Sequence, residues 1–454
     1  MKRALLLAAL TACTSMAPTY ERPTGAVPNQ LRGGTGQGSV KKLAIGDFVR
    51  DAKLRSLIDM AIKTNRDLRA SVQAIEVARH QYRIQRAAAL PPIDLNLGAS
   101  IQQVNFPSVG ATRFDQYSVT AGTAGWEIDV WGRLKSMATQ REHQYLAVVQ
   151  HASAMRVSLI GEISTAYVAL AADRSRLAIA RETAELAKKT MELTEQLVSG
   201  GTSNRGDYFQ AETVYQTARG DVALYTAQIE QDKNALDQLV GAPVPEELLP
   251  TELSPMLDTF TEVPVGVSSA ILLERPDVLA AEHDLMAANA NIGEARARFF
   301  PTLSLTASGG LASTALKALF SSPGSVFSIV PNIAAPLFRG GANRANLAMT
   351  KAQKQQLVAV YEGTVQRAFR EVADALAVRG TIEERLAAQV ALVQAATKSF
   401  ELSQARYKGG VEPFLTTLVS QRALYAAKYS LVSTQLAALE NRVRLFRVLG
   451  GDQR

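Results

Sequence analysis

The chain has one thiol, Cys13, and its position gives that thiol a chemistry. A basic start, Met1-Lys2-Arg3, leads into an apolar run from Ala4 to Leu10, and Leu10-Thr11-Ala12 then precedes the cysteine. A small-residue pair and a cysteine directly behind such a run have the form of a bacterial lipobox at the end of a secretory leader. Cleavage before Cys13 would leave its sulfur to carry a diacylglycerol thioether, which anchors a chain to a bilayer without spanning it. The next residue is Thr14. An Asp there usually keeps a bacterial lipoprotein at the inner membrane, so the outer membrane is the expected destination. A single thiol permits no disulfide within the chain and no cysteine-built metal site.

Other reactive residue types are present without a reactive spacing. His80, His143, His151 and His283 are far apart, so no cluster, metal site or cofactor is expected. There is no Gly-x-Ser-x-Gly elbow to carry a nucleophile, and no enzyme is read. Gly34-Thr35-Gly36-Gln37-Gly38 neither follows a strand nor opens a helix, so it is no phosphate-binding loop. Glu371 and Asp374 are three apart and share a helical face, with Arg367 and Arg370 nearby. Such a face can be an ordinary solvated one; repeated around an axis, its carboxylates would favour cations.

The elements that must position these residues follow from composition and repetition. The chain is 47% apolar but only 6% aromatic, which suits closely packed helices. Its formal charge is +7, or +5 without Lys2 and Arg3, and no run of five like charges offers a nucleic-acid surface. The chain is a duplication with a period of about 210 residues. Thr64-Asn65-Arg66-Asp67-Leu68 answers to Glu274-Arg275-Pro276-Asp277-Val278, Leu90-Pro91 to Phe300-Pro301, and Gly200-Gly201 to Gly409-Gly410. The expected organisation is a leader over 1–12, an extended tether over 13–46, a first copy over 47–242, a Pro-rich connector over 243–266 and a second copy over 267–451.

Each copy reads helix, strand, strand, helix, helix. Ile93, Leu95, Leu97, Ala99 and Ile101 alternate with polar or small residues, the period of a strand with one apolar face. The first copy is expected to hold a helix over about 52–88, strands near 93–102 and 115–128, a helix over 133–171 and another over 174–240. Ala138, Tyr145, Ala152, Leu159 and Ala166 recur every seven residues, as in a coiled coil. No segment is expected to cross a membrane as a helix. Membrane-crossing strands must close into a barrel, and barrels start at about eight strands. One chain offers four, so strands that meet lipid would need three chains.

Arg275-Pro276-Asp277-Val278, with Ala281-Glu282, Leu285, Ala288-Asn289-Ala290, Ile292-Gly293, Ala295-Arg296 and Phe299-Phe300-Pro301, resembles the hallmark segment of the TolC-like outer-membrane factor family, in its OprM/NodT-type lipoprotein branch. Trp126 to Arg133 and Pro336 to Gly341 resemble its two strand-to-helix junctions. Arg406-Tyr407-Lys408-Gly409-Gly410, then Leu415 and Gln421, resembles its equatorial break, and Gly200-Gly201 is the first copy's counterpart. The resemblance spans about 45–450. It implies a mainly α fold with β: a homotrimer with a twelve-stranded outer-membrane barrel on a twelve-helix periplasmic tunnel. It implies an exit duct for drugs or other toxic solutes, with a periplasmic adaptor and an inner-membrane transporter of the resistance-nodulation-division type as partners. Heptad counting then puts the periplasmic tips, where an adaptor would dock, at Ala171-Ala172-Asp173 and Val378-Arg379-Gly380. The family carries aspartates at its constriction, and Asp374 is the matching residue, with Glu371, Arg367 and Arg370 as gate companions. Trp126 and Trp131 are expected either in an aromatic girdle at the membrane boundary or in the core.

Overall fold

Where the helices start and stop decides the layout of this chain. The computed structural model describes residues 15–28, 44–108, 110–262, 269–321 and 323–451; the leader, Cys13 and Gly34 to Gly38 lie outside them. In the first copy, α1 (Ala52–Thr64) starts at Asp51, whose carboxylate accepts from the amides of Lys53 and Leu54, satisfying two free helix-end donors. Leu54, Leu57, Ile58 and Ala61 form its buried stripe. The single helix expected over 52–88 divides at Asn65 before α2 (Arg66–Ala87). The Asn65 amide donates to Leu239 O at 2.7 Å while its oxygen accepts from Leu68 N at 2.8 Å, so the break is both a cap and a tie to a distant segment.

β1 (Asp94–Phe106) and β2 (Gly110–Ile128) pair antiparallel, with Asp94 opposite Gly122 and Asn105 opposite Ala111. β3 (Thr302–Ser313) and β4 (Gly324–Ala334) repeat the hairpin. β2 pairs with β3 across the copies, giving one sheet in the order β1-β2-β3-β4 with a bulge between Thr123 and Trp126. The strands are 13, 19, 12 and 11 residues long, enough for the roughly 9–11 residues a tilted strand needs to cross a bilayer. β1 and β4 are the sheet's edges. Leu95, Leu97 and Ile101 on β1 and Phe327, Ile329 and Ile333 on β4 are each more than half exposed. A sheet with two open edges and that much exposed apolar surface is not completed by one chain.

The long helices are where expectation and structure part. α3 (Arg133–Ser199) and α6 (Ala342–Lys408) each run unbroken for 67 residues, a contour of roughly 100 Å. The turns expected at Ala171 to Asp173 and Val378 to Gly380 therefore do not exist: both triplets lie inside continuous helix. The reversals occur instead at Gly200-Gly201 and Gly409-Gly410, read beforehand as equatorial breaks. α4 (Arg205–Val240) and α7 (Phe414–Val448) return from them. α5 (Pro276–Ala297) opens the second copy, with Pro276 as its first residue, where a missing amide costs nothing. α3 and α6 start 209 residues apart, at 133 and 342, as do α4 and α7, at 205 and 414.

The described residues fall into two compact units. Within those residues, one unit is drawn from 15–24, 74–149 and 280–363 and holds the sheet; the other is drawn from 25–73, 150–279 and 364–451. In the second unit Phe48 stacks between Phe446, at 4.2 Å between ring centroids, and Phe260, at 5.1 Å. Ile160, Ile163, Tyr167, Leu170, Ala171 and Ala172 of α3 are all buried in the same unit. This qualifies the expectation that no segment could cross a bilayer as a helix. One 18-residue window of α3 is apolar enough, and 56% of it is buried within the chain, so the apolarity serves packing.

Candidate functional site

The four expected gate residues lie mid-helix. Asp374 stands 34 residues before the end of α6, a rise of about 50 Å. It is half exposed, and its Oδ2 lies 4.0 Å from Arg370 Nε and 3.7 Å from Arg444 Nη2. Glu371 is a structural partner instead. Its carboxylate accepts from Arg275 Nη2 at 2.9 Å, and Arg275, 8% exposed, also grips Asp277 and donates to Val448 O. Those bonds tie the start of α5 to α6 and to the end of α7. Arg367 donates to Thr364 Oγ1, one turn away on its own helix. These four residues sit at no helix reversal and so form no gate at a tip.

The expected tip residues belong to a belt around the connector. Ala171 is fully buried. Next to it, Arg174 donates to Pro250 O and pairs with Glu246, while Arg379 pairs with Glu262, which Arg442 also reaches. Gly380 continues α6. Asp173 is 6% exposed and paired with Arg176 at 2.6 Å. The Asp232 carboxyl beside it is pushed up to about 6, chiefly by burial, with the Asp173 charge adding and the Gln228 amide opposing. Small residues and a salt-bridged aspartate are what a helix needs where a connector packs across it; they carry no end signal.

The true ends do carry such signals. Gly201 (φ +73°) and Gly410 (φ +71°) are left-handed, a conformation costly for residues with a Cβ. Behind them Thr202 N donates to Leu197 O and Val411 N to Arg406 O, each at 2.9 Å, closing a Schellman-type cap. Asn204 then caps α4 by accepting from Asp207 N at 3.0 Å, and Pro413 precedes α7. One buried cluster joins the ends of all four helices: Ala187 of α3, Ala211 and Val214 of α4, and Phe414 and Leu418 of α7, with Tyr407 of α6 packed against them. Arg406 Nε and Glu412 Oε1 pair at 2.7 Å across the second turn.

At the strand-to-helix junctions, Trp131 Nε1 donates to Pro301 O at 2.7 Å and its ring stacks on Phe300 at 4.7 Å. Trp126 Nε1 donates to Ala89 O. Both tryptophans are half buried and fasten junction backbone. More exposed apolar side chains at the junctions are Leu90, Leu337 and Phe338, at 68%, 96% and 89%.

Two groupings had no local signature. The first is a strap. Residues 15–22 run antiparallel along α5, with Met16 O accepting from Arg296 Nη1, Pro18 O from Asn289 Nδ2, and Arg22 gripping Glu282 through two bonds of 2.7 Å. Tyr20 donates to the same carboxylate, and burial followed by the Glu282 charge holds its hydroxyl protonated. Gly293 makes room for the strap, since a Cβ there would sit 2.6 Å from Ala17 N and Ser136 Oγ. The second corrects the expectation that the histidines do not cluster: His143 of α3 and His283 of α5 meet with their Nδ1 atoms 3.3 Å apart. Among the described residues no group of three or more His, Cys, Asp or Glu is placed to hold a metal.

Comparison with known proteins accounts for this arrangement. A family profile described as outer membrane efflux protein matches residues 57–242 and again 267–451. The solvent efflux pump outer membrane protein SrpC of Pseudomonas putida is 39% identical over 450 residues, 96% of this chain and 95% of that one. A solved membrane protein from Pseudomonas aeruginosa superposes with a TM-score of 0.90 at 36% identity, covering 96% of this chain and 98% of the other. The open state of the Neisseria gonorrhoeae MtrE outer membrane channel gives 0.87 at 35% identity, with 96% and 98% covered.

Proposed function

This chain belongs to the outer membrane efflux protein family and is the outer-membrane channel of an efflux system, and we propose that three copies join edge to edge into one gated duct. The observation that carries this is the unfinished sheet. β1 and β4 are open edges with apolar exposed side chains, and lipid cannot satisfy the polar backbone of an open edge. Pairing β4 of one copy with β1 of the next closes twelve strands around a lumen. The long helices continue from those strands into the periplasm, and the duct is closed at the paired turns around Gly201 and Gly410, where the cluster of Phe414 and Leu418 locks four helix ends together. A periplasmic adaptor docks at those turns, and an inner-membrane transporter of the resistance-nodulation-division type completes the pump. SrpC is named for solvent efflux, and small, largely apolar toxic solutes are the cargo we assign. The duct performs no covalent chemistry.

The strap supports a lipid anchor at Cys13. Six residues from Met16 to Arg22 match the 14-residue rise from Glu282 to Arg296, about 20 Å in both cases, so the strap is extended and runs toward the junction of α5 with β3. Ser15, at the outer end of the strap, bonds Ser136 at 2.9 Å. A lipid on Cys13, two residues before Ser15 in the chain, would enter the bilayer at the barrel rim.

Single cysteines in a Cys13-lipidated background test the topology. Ser108→Cys, in the β1–β2 turn, should react with an impermeant maleimide on intact cells, and Thr202→Cys only after the outer membrane is permeabilised. Labelling of Thr202→Cys on intact cells, or protection of Ser108→Cys, would exclude this topology.

A further inference from the structure

We propose that His143 and His283 form a chelating site for one divalent transition-metal ion per chain, independent of what the duct carries. The two imidazoles come from different helices, α3 and α5, and face each other through Nδ1 at 3.3 Å. Two nitrogens each about 2.0–2.1 Å from a tetrahedral ion are separated by about 3.3–3.4 Å along the tetrahedron's edge. The pair already has that separation, and turning the two stacked rings about their side-chain bonds would point both lone pairs at one ion.

The protonation state is also suitable. Two facing Nδ1–H groups cannot share this distance, so at least one Nδ1 presents its lone pair to the other ring. A neutral ring that carries its proton on Nδ1 shifts it to the outer Nε2 as the ion binds, so no proton is released. Glu142 and Asp284 adjoin the two histidines in the chain, which places a negative field around an incoming cation, while the charge of Glu282 is matched by Arg22. Both rings are half exposed, leaving room for water in the remaining coordination positions. The donor set is neutral nitrogen and the order of divalent affinities peaks at copper, so Cu²⁺, whose tetragonal geometry draws the two nitrogens slightly closer than a tetrahedral ion does, should bind most tightly, ahead of Ni²⁺ and Zn²⁺. A bound ion would staple α3 to α5 beneath the strap.

Tag-free protein in detergent, stripped with a chelator, is titrated with CuCl₂ by calorimetry and examined by electron paramagnetic resonance. The expected result is one ion per chain, hyperfine structure from two imidazole nitrogens, and at least about tenfold weaker binding in His143→Gln and in His283→Gln. Equal binding by wild type and the double variant would overturn the site. Should the variants fail to fold, carbethoxylation of the wild type decides. Protection of His143 and His283 by Zn²⁺ supports the proposal, and equal modification with and without Zn²⁺ overturns it.

Discussion

Replacing Arg22 by Gln isolates what holds the strap. Glu282 is 5% exposed at its side chain while Arg22 is 44% exposed. Leaving a fully buried charge unpaired costs about 3–5 kcal/mol, and an exposed pair contributes under about 1 kcal/mol. A buried carboxylate facing a half-exposed guanidinium falls between, so Arg22→Gln should destabilise strap docking by about 2 kcal/mol, roughly a 30-fold rise in the open population. The loss is local, because the strap can open without unfolding the helices beneath it. Hydrogen exchange read by mass spectrometry on peptides covering residues 15–22 should quicken about 30-fold, with exchange in the core around Phe48 unchanged. The double variant Arg22→Gln/Glu282→Gln should recover about half of the effect, since a neutral amide is less costly to bury unpaired than a carboxylate. If Arg22→Gln leaves strap exchange unchanged, or the double variant opens as far as the single one, the pairing does not hold the strap.

Three further outcomes follow from particular groups. Asp232, pushed up to about 6, binds its proton more tightly in the folded chain, so its cost to stability is full above pH 6 and fades as pH falls toward 4. Asp232→Asn should therefore melt higher than wild type at pH 7.5, with the gap narrowing toward pH 4. Gly410→Ala meets no atom within 4 Å of its new Cβ, so its cost is backbone strain alone, about 1–2 kcal/mol, measurable as a lower melting temperature that Gly380→Ala does not share. Cys13→Ser should abolish incorporation of labelled palmitate and leave the chain extractable from membranes only with detergent, as expected of a barrel.

How far the sequence could be read depended on how local each signal was. The alternation of Leu95, Leu97 and Ile101 and the ordered repetition of motifs were enough for four strands and two copies. The helix ends were misplaced although their markers were present: Gly201 and Gly410 for left-handed caps, Asn204 and Pro413 to restart the chain. Heptad counting put reversals at Ala171 and Val378, positions with no capping chemistry, because burial under a connector leaves small residues that resemble a tight turn. Asp374 and Glu371, matched to a tip by the same counting, lie inside continuous helix for the same reason. Glu371 in fact answers to Arg275, 96 residues away, and His143 to His283, 140 away. Contacts at that range leave no periodicity, and only the folded chain brings such partners together.

Planar-bilayer conductance of the lipidated protein tests the central claim that the chain forms a duct closed at the paired turns. Wild type should insert with a small conductance. Phe414→Ala, which empties a site 2% exposed in the turn cluster at a cost of about 3–5 kcal/mol, should conduct several-fold more, and Asp374→Ala should conduct like wild type. Larger conductance from Asp374→Ala with none from Phe414→Ala, or no conductance from any inserted variant, would contradict the account.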